Sequence, residues 1–484
     1  MAESDKVESK LLVKRREFLG GAATLAGASL FSPAVASPLL GHPEIQAQPP
    51  VASEQTPTPE MTPDVTHDSK RFQTQRWLLD AVIRTVGVEW DQSRLAGLLR
   101  ACGPDVESDV AGIRARVHKF NDITREFARA GAHREKAASQ YDREGRKVAA
   151  RENYFIAALL YAGAQWPIFE VTRENLALNE RKNVCYAKYI EFADHEIRRV
   201  EIPFGDNGKA LPGYLHLPPN RSGRVPCVWS ISGLDSTKET GSALSGDKLR
   251  ERGIATLALE GPGQGECSIR GIHVTQSNWT DAGRLVLDWL RSQKEIDPDR
   301  IALRGVSRGS FWSAQVASVD RHIVGAAVHG LSFEPGSHTS FEMSSPTFKL
   351  RYMYYAGFNN EAEFDKFART LSLKGMADKI TCPYLVVAGE DDQQCPLVYG
   401  YEFLESLSVP KQMLVYEGAD HSVSHAASTA NGPNPNTYMM EWLQDRLDGK
   451  PMQTKHMKVD ASGAIHESSF EQARNALSLT FLPT

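Results

Sequence analysis

At 484 residues, with 41% hydrophobic and 24% charged side chains, the chain has the composition of a soluble globular protein and more length than one ordinary domain needs. A formal net charge of −5, with no Lys/Arg run beyond the N-terminus, excludes the concentrated basic face that a nucleic-acid partner requires. Six cysteines (Cys102, Cys185, Cys227, Cys267, Cys382, Cys395) are scattered without a CxxC pair, which argues against zinc or thioredoxin-type redox chemistry and for buried free thiols.

The chain opens with an address. Lys14-Arg15-Arg16-Glu17-Phe18-Leu19 precedes a weakly apolar stretch, Gly20 to Phe31, and then Ala34-Val35-Ala36. Charged region, apolar region and small-residue cleavage site together read as an export signal over 1–36, and the paired arginines resemble the twin-arginine class. The expected location is therefore periplasmic or secreted. No segment reaches the ~18 apolar residues of a permanent membrane span. Residues 37–67, rich in Pro, Gln, Thr and Ala, read as a disordered spacer.

Apolar residues then recur at helical spacing (Trp77, Leu78, Ala81, Val82 and Val86; Phe155, Ala158, Leu159 and Ala162), which predicts an α-helical domain over 68–195. The period changes next. Arg199 to Phe204 and Leu211 to Leu217 alternate around Asp206-Asn207-Gly208 and predict a β-hairpin. Strands are predicted at Val225–Ile231, Ile254–Leu259, Ile301–Val306, Ile323–Val328, Tyr384–Ala388 and Gln412–Tyr416, with helices such as Trp279–Gln293 and Tyr399–Leu407 between them. A hairpin followed by alternating strand and helix predicts an α/β domain over 196–450, a mostly parallel sheet with helices on both faces. Right-handed crossovers then gather all the strand carboxyl ends on one edge, where active sites of open sheets form. Residues 451–484 are left as a C-terminal tail.

Gly305-Val306-Ser307-Arg308-Gly309 lies between a strand and a helical pattern, the setting a GxSxG nucleophile elbow requires. A serine nucleophile needs a base, and the base needs an orienting acid. Gly389-Glu390-Asp391-Asp392 follows one strand, and Glu417-Gly418-Ala419-Asp420-His421 follows the next, on the same edge as Ser307 and in the chain order Ser, Asp, His. Gly418 favours His421 over His425 as base, while Asp391 and Asp392 both remain candidates for the acid. Acyl transfer also needs two N–H donors for its oxyanion. They are expected from Arg308, just after the nucleophile, and from Leu234 in the loop Ser232-Gly233-Leu234-Asp235-Ser236-Thr237-Lys238-Glu239. The Arg308 side chain is expected in an internal salt bridge rather than against an anionic substrate. Gly261-Pro262-Gly263-Gln264-Gly265-Glu266 is not GxGxxG, and its proline lacks a donor that a phosphate cradle would use, so no nucleotide is expected there.

The Ser232–Glu239 and Glu260–Glu266 stretches, the Ser307 elbow, Gly389–Pro396, Gly418–His421 and Arg151-Glu152-Asn153-Tyr154 together resemble one branch of the α/β-hydrolases. The branch contains esterases similar to the fermentation–respiration switch protein, the 2,6-dihydroxypseudooxynicotine hydrolases and fungal polyketide-shortening hydrolases. The resemblance spans roughly residues 70–450 and implies an α/β-hydrolase fold preceded by the helical cap. The family places the acid third after the glycine, which selects Asp392. It also implies that the cap forms one wall of a substrate cleft and that an insertion at about 333–376 forms the other. That insertion is rich in aromatics, with Phe341, Phe348, Tyr352, Tyr354, Tyr355 and Phe358, which suggests an apolar or aromatic substrate touching Phe341 and Tyr354. Members of the branch cleave esters or carbon–carbon bonds next to a ketone. The expected activity is hydrolysis of a carboxylic ester through an acyl-enzyme. Hydrolytic C–C cleavage, with Glu342 assisting proton transfer, is the second reading; a peptidase or a catalytically silent binding protein ranks below both. No cofactor or metal is called for. The expected partners are a small-molecule substrate, the twin-arginine export machinery and, as an open assembly state, a second copy in a homodimer.

Replacing Arg15 and Arg16 by Lys is expected to leave the precursor in the cytoplasm. Cell fractionation checks this, and undiminished periplasmic protein would rule the twin-arginine reading out.

Overall fold

Apolar runs closed by turn residues become strands here, and helical periodicity becomes helix, over most of the chain. The computed structural model describes residues 70–480, apart from 91–93, 206–207 and 244–245. The export signal over 1–36, the spacer over 37–67 and two residues of the expected hairpin turn lie outside the described residues.

The first described segment is helical: Lys70–Val86, Arg94–Cys102, Glu107–Arg114, Asp122–Arg143, Lys147–Gln165 and Arg173–Glu191. Asp122–Arg143 and Lys147–Gln165 form a close pair because each offers a glycine to a ring of the other. A Cβ on Gly163 would stand 2.4 Å from the Phe127 ring, and one on Gly131 would stand 3.1 Å from Tyr161. The last helix starts where the Thr172 hydroxyl accepts from the Asn175 N–H, satisfying a donor that has no partner within the helix.

Ten strands make one sheet: β1 Ile197–Pro203, β2 Ala210–His216, β3 Val225–Ile231, β4 Ala255–Leu259, β5 Ile296–Val306, β6 Ile323–His329, β7 Tyr384–Gly389, β8 Lys411–Tyr416, β9 Lys455–Val459 and β10 Ile465–Ser468. Their order is β1-β2-β4-β3-β5-β6-β7-β8-β9-β10. The β1–β2 hairpin is antiparallel and joins β4 antiparallel; the run from β4 to β9 is parallel, and β10 returns antiparallel on β9. Both faces are covered, so β3 and β4 are buried at every position. One face carries the stacked Trp229, Trp279 and Trp312; the other packs Val228, Ala302 and Leu385 under Met439 and Leu443.

The structure extends the sequence reading in two places. β5 begins at Ile296, not Ile301, because Asp297-Pro298-Asp299 hides the first strand residues behind polar ones; a register shift between Val225 and Cys227 absorbs the irregularity. Residues 451–484, read as a tail, contribute β9, β10 and the helix Phe470–Thr480. All six cysteines are free thiols, five of them buried. Among the described residues no helix is long and apolar enough to cross a membrane.

Ending the chain after Lys450 removes buried Met457 and Val459 and leaves β8 as an unpaired edge. At ~1.5–3 kcal/mol per buried apolar side chain, the truncated protein is expected to lose about 3 kcal/mol or more. A urea unfolding midpoint equal to that of the full chain would show β9 and β10 to be dispensable.

Candidate active site

β5 ends in a turn so tight that Ser307 takes φ 54° and ψ −126°, a conformation side chains other than glycine rarely adopt. The Ser307 N–H donates to the His329 carbonyl at 2.9 Å, and the helix Arg308–Ala317 starts at once. Gly309 makes this possible: a Cβ there would stand 2.1 Å from the Ile231 carbonyl oxygen. The serine hydroxyl is thus presented at the carboxyl edge of the sheet, ahead of a helix N-terminus whose dipole favours negative charge.

The structure brings Ser307, His421 and Asp392 together. His421 Nε2 lies 2.8 Å from Ser307 Oγ, and His421 Nδ1 lies 2.8 Å and 2.9 Å from the two Asp392 oxygens. The loops after β7 and β8 meet because Gly389 has no side chain; a Cβ there would stand 2.2 Å from the Asp420 carbonyl oxygen. Asp392 is buried and also accepts from the N–H groups of Gln394 and Cys395, whereas the rival Asp391 is exposed, as is His425. Burial disfavours the His421 imidazolium. The Asp392 carboxylate outweighs that, with smaller help from Asp235 and Asp420, and sets His421 above its ordinary value.

The loop after β3 lies against the nucleophile, with the Cβ position of Gly233 3.0 Å from Ser307 Cβ. Its carbonyls are held from behind. Gln264 Nε2 donates to the Ser232 and Gly233 oxygens at 2.9 and 3.1 Å, and the Tyr355 hydroxyl donates to the Leu234 oxygen at 2.7 Å. Beneath the loop sits Lys238, fully buried. Its ammonium contacts Glu239 at 2.8 Å, Glu260 at 3.6 Å and Glu266, and Lys182 of the helix Arg173–Glu191 reaches Glu239 at 3.6 Å. Burial alone would raise the Glu266 carboxyl; Lys238, Lys182, Arg199 and Arg270 outweigh it and hold Glu266 well below the usual carboxylate range. Sequence reasoning missed this network, although Lys238, Glu239, Glu260 and Glu266 lie inside two of the motifs that carried the resemblance; Lys182, Arg199 and Arg270 lie outside them.

Ser307 and His421 open into a cavity of about 760 Å³. The N-terminal helices contribute Phe127, Leu159 and Trp166 to it, and the 333–376 segment contributes Glu342, Met343 and Phe348. Phe341 and Tyr354 do not border it. Phe341 packs on Tyr352 and Phe364, and Tyr354 meets Asn175 and Arg351, so most aromatics of this segment build its own core. Glu342 borders the cavity with its carboxylate 2.5 Å from Lys349 Nζ. The Arg308 side chain is internal but makes no salt bridge among the described residues. Its guanidinium donates to the hydroxyls of Ser332, Ser337 and Tyr352 and lies over the Phe311 ring, partners that come from distant segments.

Residues 110–356 match the sequence profile of a family described as Esterase FrsA-like. An alpha/beta hydrolase of Xenoacremonium sinensis, xenA, is 32% identical over 196 residues, 39% of this chain and 46% of the relative. The 2,6-dihydropseudooxynicotine hydrolase of Paenarthrobacter nicotinovorans is 27% identical over 319 residues, 64% of this chain and 82% of the relative. The chain spans 46% to 56% of the length of four fungal relatives it matches and 32% to 36% of three others. The crystal structure of the 2,6-dihydroxy-pseudo-oxynicotine hydrolase superposes with a TM-score of 0.63 at 24% identity, over 74% of this chain and 98% of that one, which shows a common fold. That fold is the α/β-hydrolase fold, with a helical region ahead of the sheet.

Lys238→Met leaves Glu239, Glu260 and Glu266 facing one another without their central cation. The variant is expected to lose about 3–5 kcal/mol. A urea midpoint indistinguishable from the parent's would show that the network does not hold the loop.

Proposed function

The chain belongs to the FrsA-like esterase family, and we propose that it is a serine hydrolase that cleaves carboxylic esters of a mid-sized, partly aromatic substrate through an acyl-enzyme. One observation carries the reading: an unbroken hydrogen-bond path from Ser307 Oγ through His421 to Asp392, opening into a cavity walled by Phe127, Trp166 and Phe348. Neutral His421 takes the Ser307 proton at Nε2 while Oγ attacks the ester carbon. The carbonyl oxygen becomes an oxyanion, for which the N–H groups of Leu234 and Arg308 are the donors. Collapse of this intermediate expels the alcohol, which receives its proton from His421. A water molecule, deprotonated by His421 in turn, releases the acid and restores Ser307. Asp392 keeps its charge throughout and stabilises the imidazolium.

Hydrolytic C–C cleavage would use the same triad, with a carbanion leaving group that takes its proton from His421 or from an auxiliary acid. The carboxylate considered for that task, Glu342, is engaged by Lys349, so ester cleavage is the preferred reading. On the strength of Arg15-Arg16 and the small-residue site at Ala34-Val35-Ala36, we place the enzyme in the periplasm or outside the cell.

Ser307→Ala and His421→Ala are each expected to lower kcat/KM on an aryl ester by a factor on the order of 10⁴ to 10⁶, with no additivity in the double variant. Asp392→Asn is expected to cost about 10⁴, and Asp391→Asn little; a larger loss at Asp391 would transfer the acid role to it. The base must be neutral to act, so kcat/KM is expected to rise with pH along one limb. Its midpoint lies above the ordinary histidine value of about 6.5 and drops in Asp392→Asn. A parent midpoint below that value would contradict the assignment of His421.

A further inference from the structure

Arg304 is a charged residue in the middle of a parallel sheet. It lies on β5 three positions before Ser307 and is 4% exposed. Its two hydrogen bonds are long, from Nη1 to Ser230 Oγ and from Nη2 to Asn436 Oδ1, both 3.4 Å, and Nε has no acceptor. No carboxylate among the described residues forms an ion pair with it. Nε of Arg308, Arg351 and Arg446 likewise lacks an acceptor, but Arg308 donates to three hydroxyls and Arg351 lies over the faces of Trp166 and Phe169, contacts of a kind Arg304 does not make among the described residues. A desolvated charge without compensation is costly, and natural interiors pair such groups.

Arg304 borders the same cavity as Ser307, and so does Arg100 of the helix Arg94–Cys102. Burial, with the nearby positive charge of Arg100 adding to it, lowers the Arg304 guanidinium to about 10. Two cations, one from the sheet and one from the helical layer, therefore converge on one part of the cavity. Of the acidic groups bordering it, Glu89 is held by Arg114, Glu342 by Lys349, and Asp420 accepts from Ser422 and Ser424; Asp235 borders it too and forms no ion pair with either arginine among the described residues.

We propose that Arg304, assisted by Arg100, binds an anionic group of the substrate, a carboxylate or its equivalent, while Ser307 attacks the ester. This rests on the serine-hydrolase reading above and narrows it to esters that carry a negative charge. A guanidinium presents parallel N–H donors that match a carboxylate's two oxygens, and the cavity supplies the low-dielectric surroundings in which that pairing is strong.

Two matched pairs of esters test it. 4-Nitrophenyl hemiglutarate against 4-nitrophenyl butyrate puts the charge on the acyl side; 4-acetoxybenzoate against 4-methylphenyl acetate puts it on the leaving group. The readout is the ratio of kcat/KM, anionic over neutral, within each pair. The expected ratio in the parent is about tenfold or more in at least one pair. It is expected to collapse by about tenfold in Arg304→Met and to be partly kept in Arg304→Lys. Ratios of one or below in both pairs, or an unchanged ratio in Arg304→Met, would overturn the proposal. Should Arg304→Met not fold, protection of the parent decides: adipate is expected to slow fluorophosphonate labelling of Ser307 and dimethyl adipate is not, and equal effects overturn the proposal. Failure of Ser307 to be labelled at all would overturn the hydrolase reading together with this one, whereas normal labelling with flat ratios overturns this one alone.

Discussion

A lysine ammonium with no exposed surface, set among three carboxylates, fixes the relative placement of the pieces that make this site. Lys238 comes from the loop after β3, Glu260 and Glu266 from the loop after β4, and Lys182 reaches in from the helical layer to Glu239. A buried ion network adds little net stability, because the cost of desolvating each group offsets the attraction. Its consequence is geometric. The charges meet only in this arrangement, so sliding the loop that carries Leu234 along β4, or lifting it from the helical layer, would separate Lys238 from Glu260 and Glu266 or Lys182 from Glu239. The Gln264 side chain extends the same constraint to the peptide planes by donating to the Ser232 and Gly233 carbonyls. The two motifs are therefore one interlocked unit, which is why their residue types occur together.

The parts of the molecule written in local patterns were legible before any coordinates. β3, β4 and β7 are short apolar runs bounded by turn residues, and the elbow sits between a strand and a helix, so Ser307, His421 and the edge they share followed from spacing and chain order. The choice between Asp391 and Asp392 needed a family resemblance. The structure supplies the physical reason: Asp392 alone is turned inward, where two backbone N–H groups and the imidazole fix it. What stayed illegible depends on contacts distant in sequence. Arg308 finds its hydroxyls 24, 29 and 44 positions away, so a salt bridge was the natural but mistaken expectation. The aromatics of 333–376 turn on one another, and the rings that face the cavity come from Phe127 and Trp166 as well as Phe348. β9, Lys455–Val459, reads Lys-His-Met-Lys-Val and gave no continuous apolar run to mark it as a strand.

The site divides its labour accordingly. Reacting groups sit at the ends of strands whose register the sheet enforces: Val306 opposite His329, and Gly389 opposite Tyr416. The backbone strain at Ser307 persists because the elbow is packed from three sides, by Ile231, Ser313 and Val328. The cavity walls belong to elements outside the sheet. The helices of 70–191 and the 333–376 segment touch each other through Arg351 against Trp166 and Phe169, and Tyr354 near Asn175. Changes there reshape the substrate space without moving the triad.

Electrostatics around the base completes the division. His329 also borders the cavity, and its carbonyl anchors Ser307, so it stands where a second proton acceptor would interfere. Burial, reinforced by the positive charge of Arg304 and by His421, holds the His329 imidazole well below the ordinary histidine range. Both influences favour its neutral form. His421, equally enclosed by its neighbours, moves the other way because Asp392 stands at its Nδ1. Two imidazoles that share one site are thus shifted in opposite directions, His329 chiefly by burial and His421 by the Asp392 carboxylate. On the serine-hydrolase reading, His329 is thereby disfavoured and His421 favoured as a proton acceptor, which suits transfer along the Ser307–His421 path.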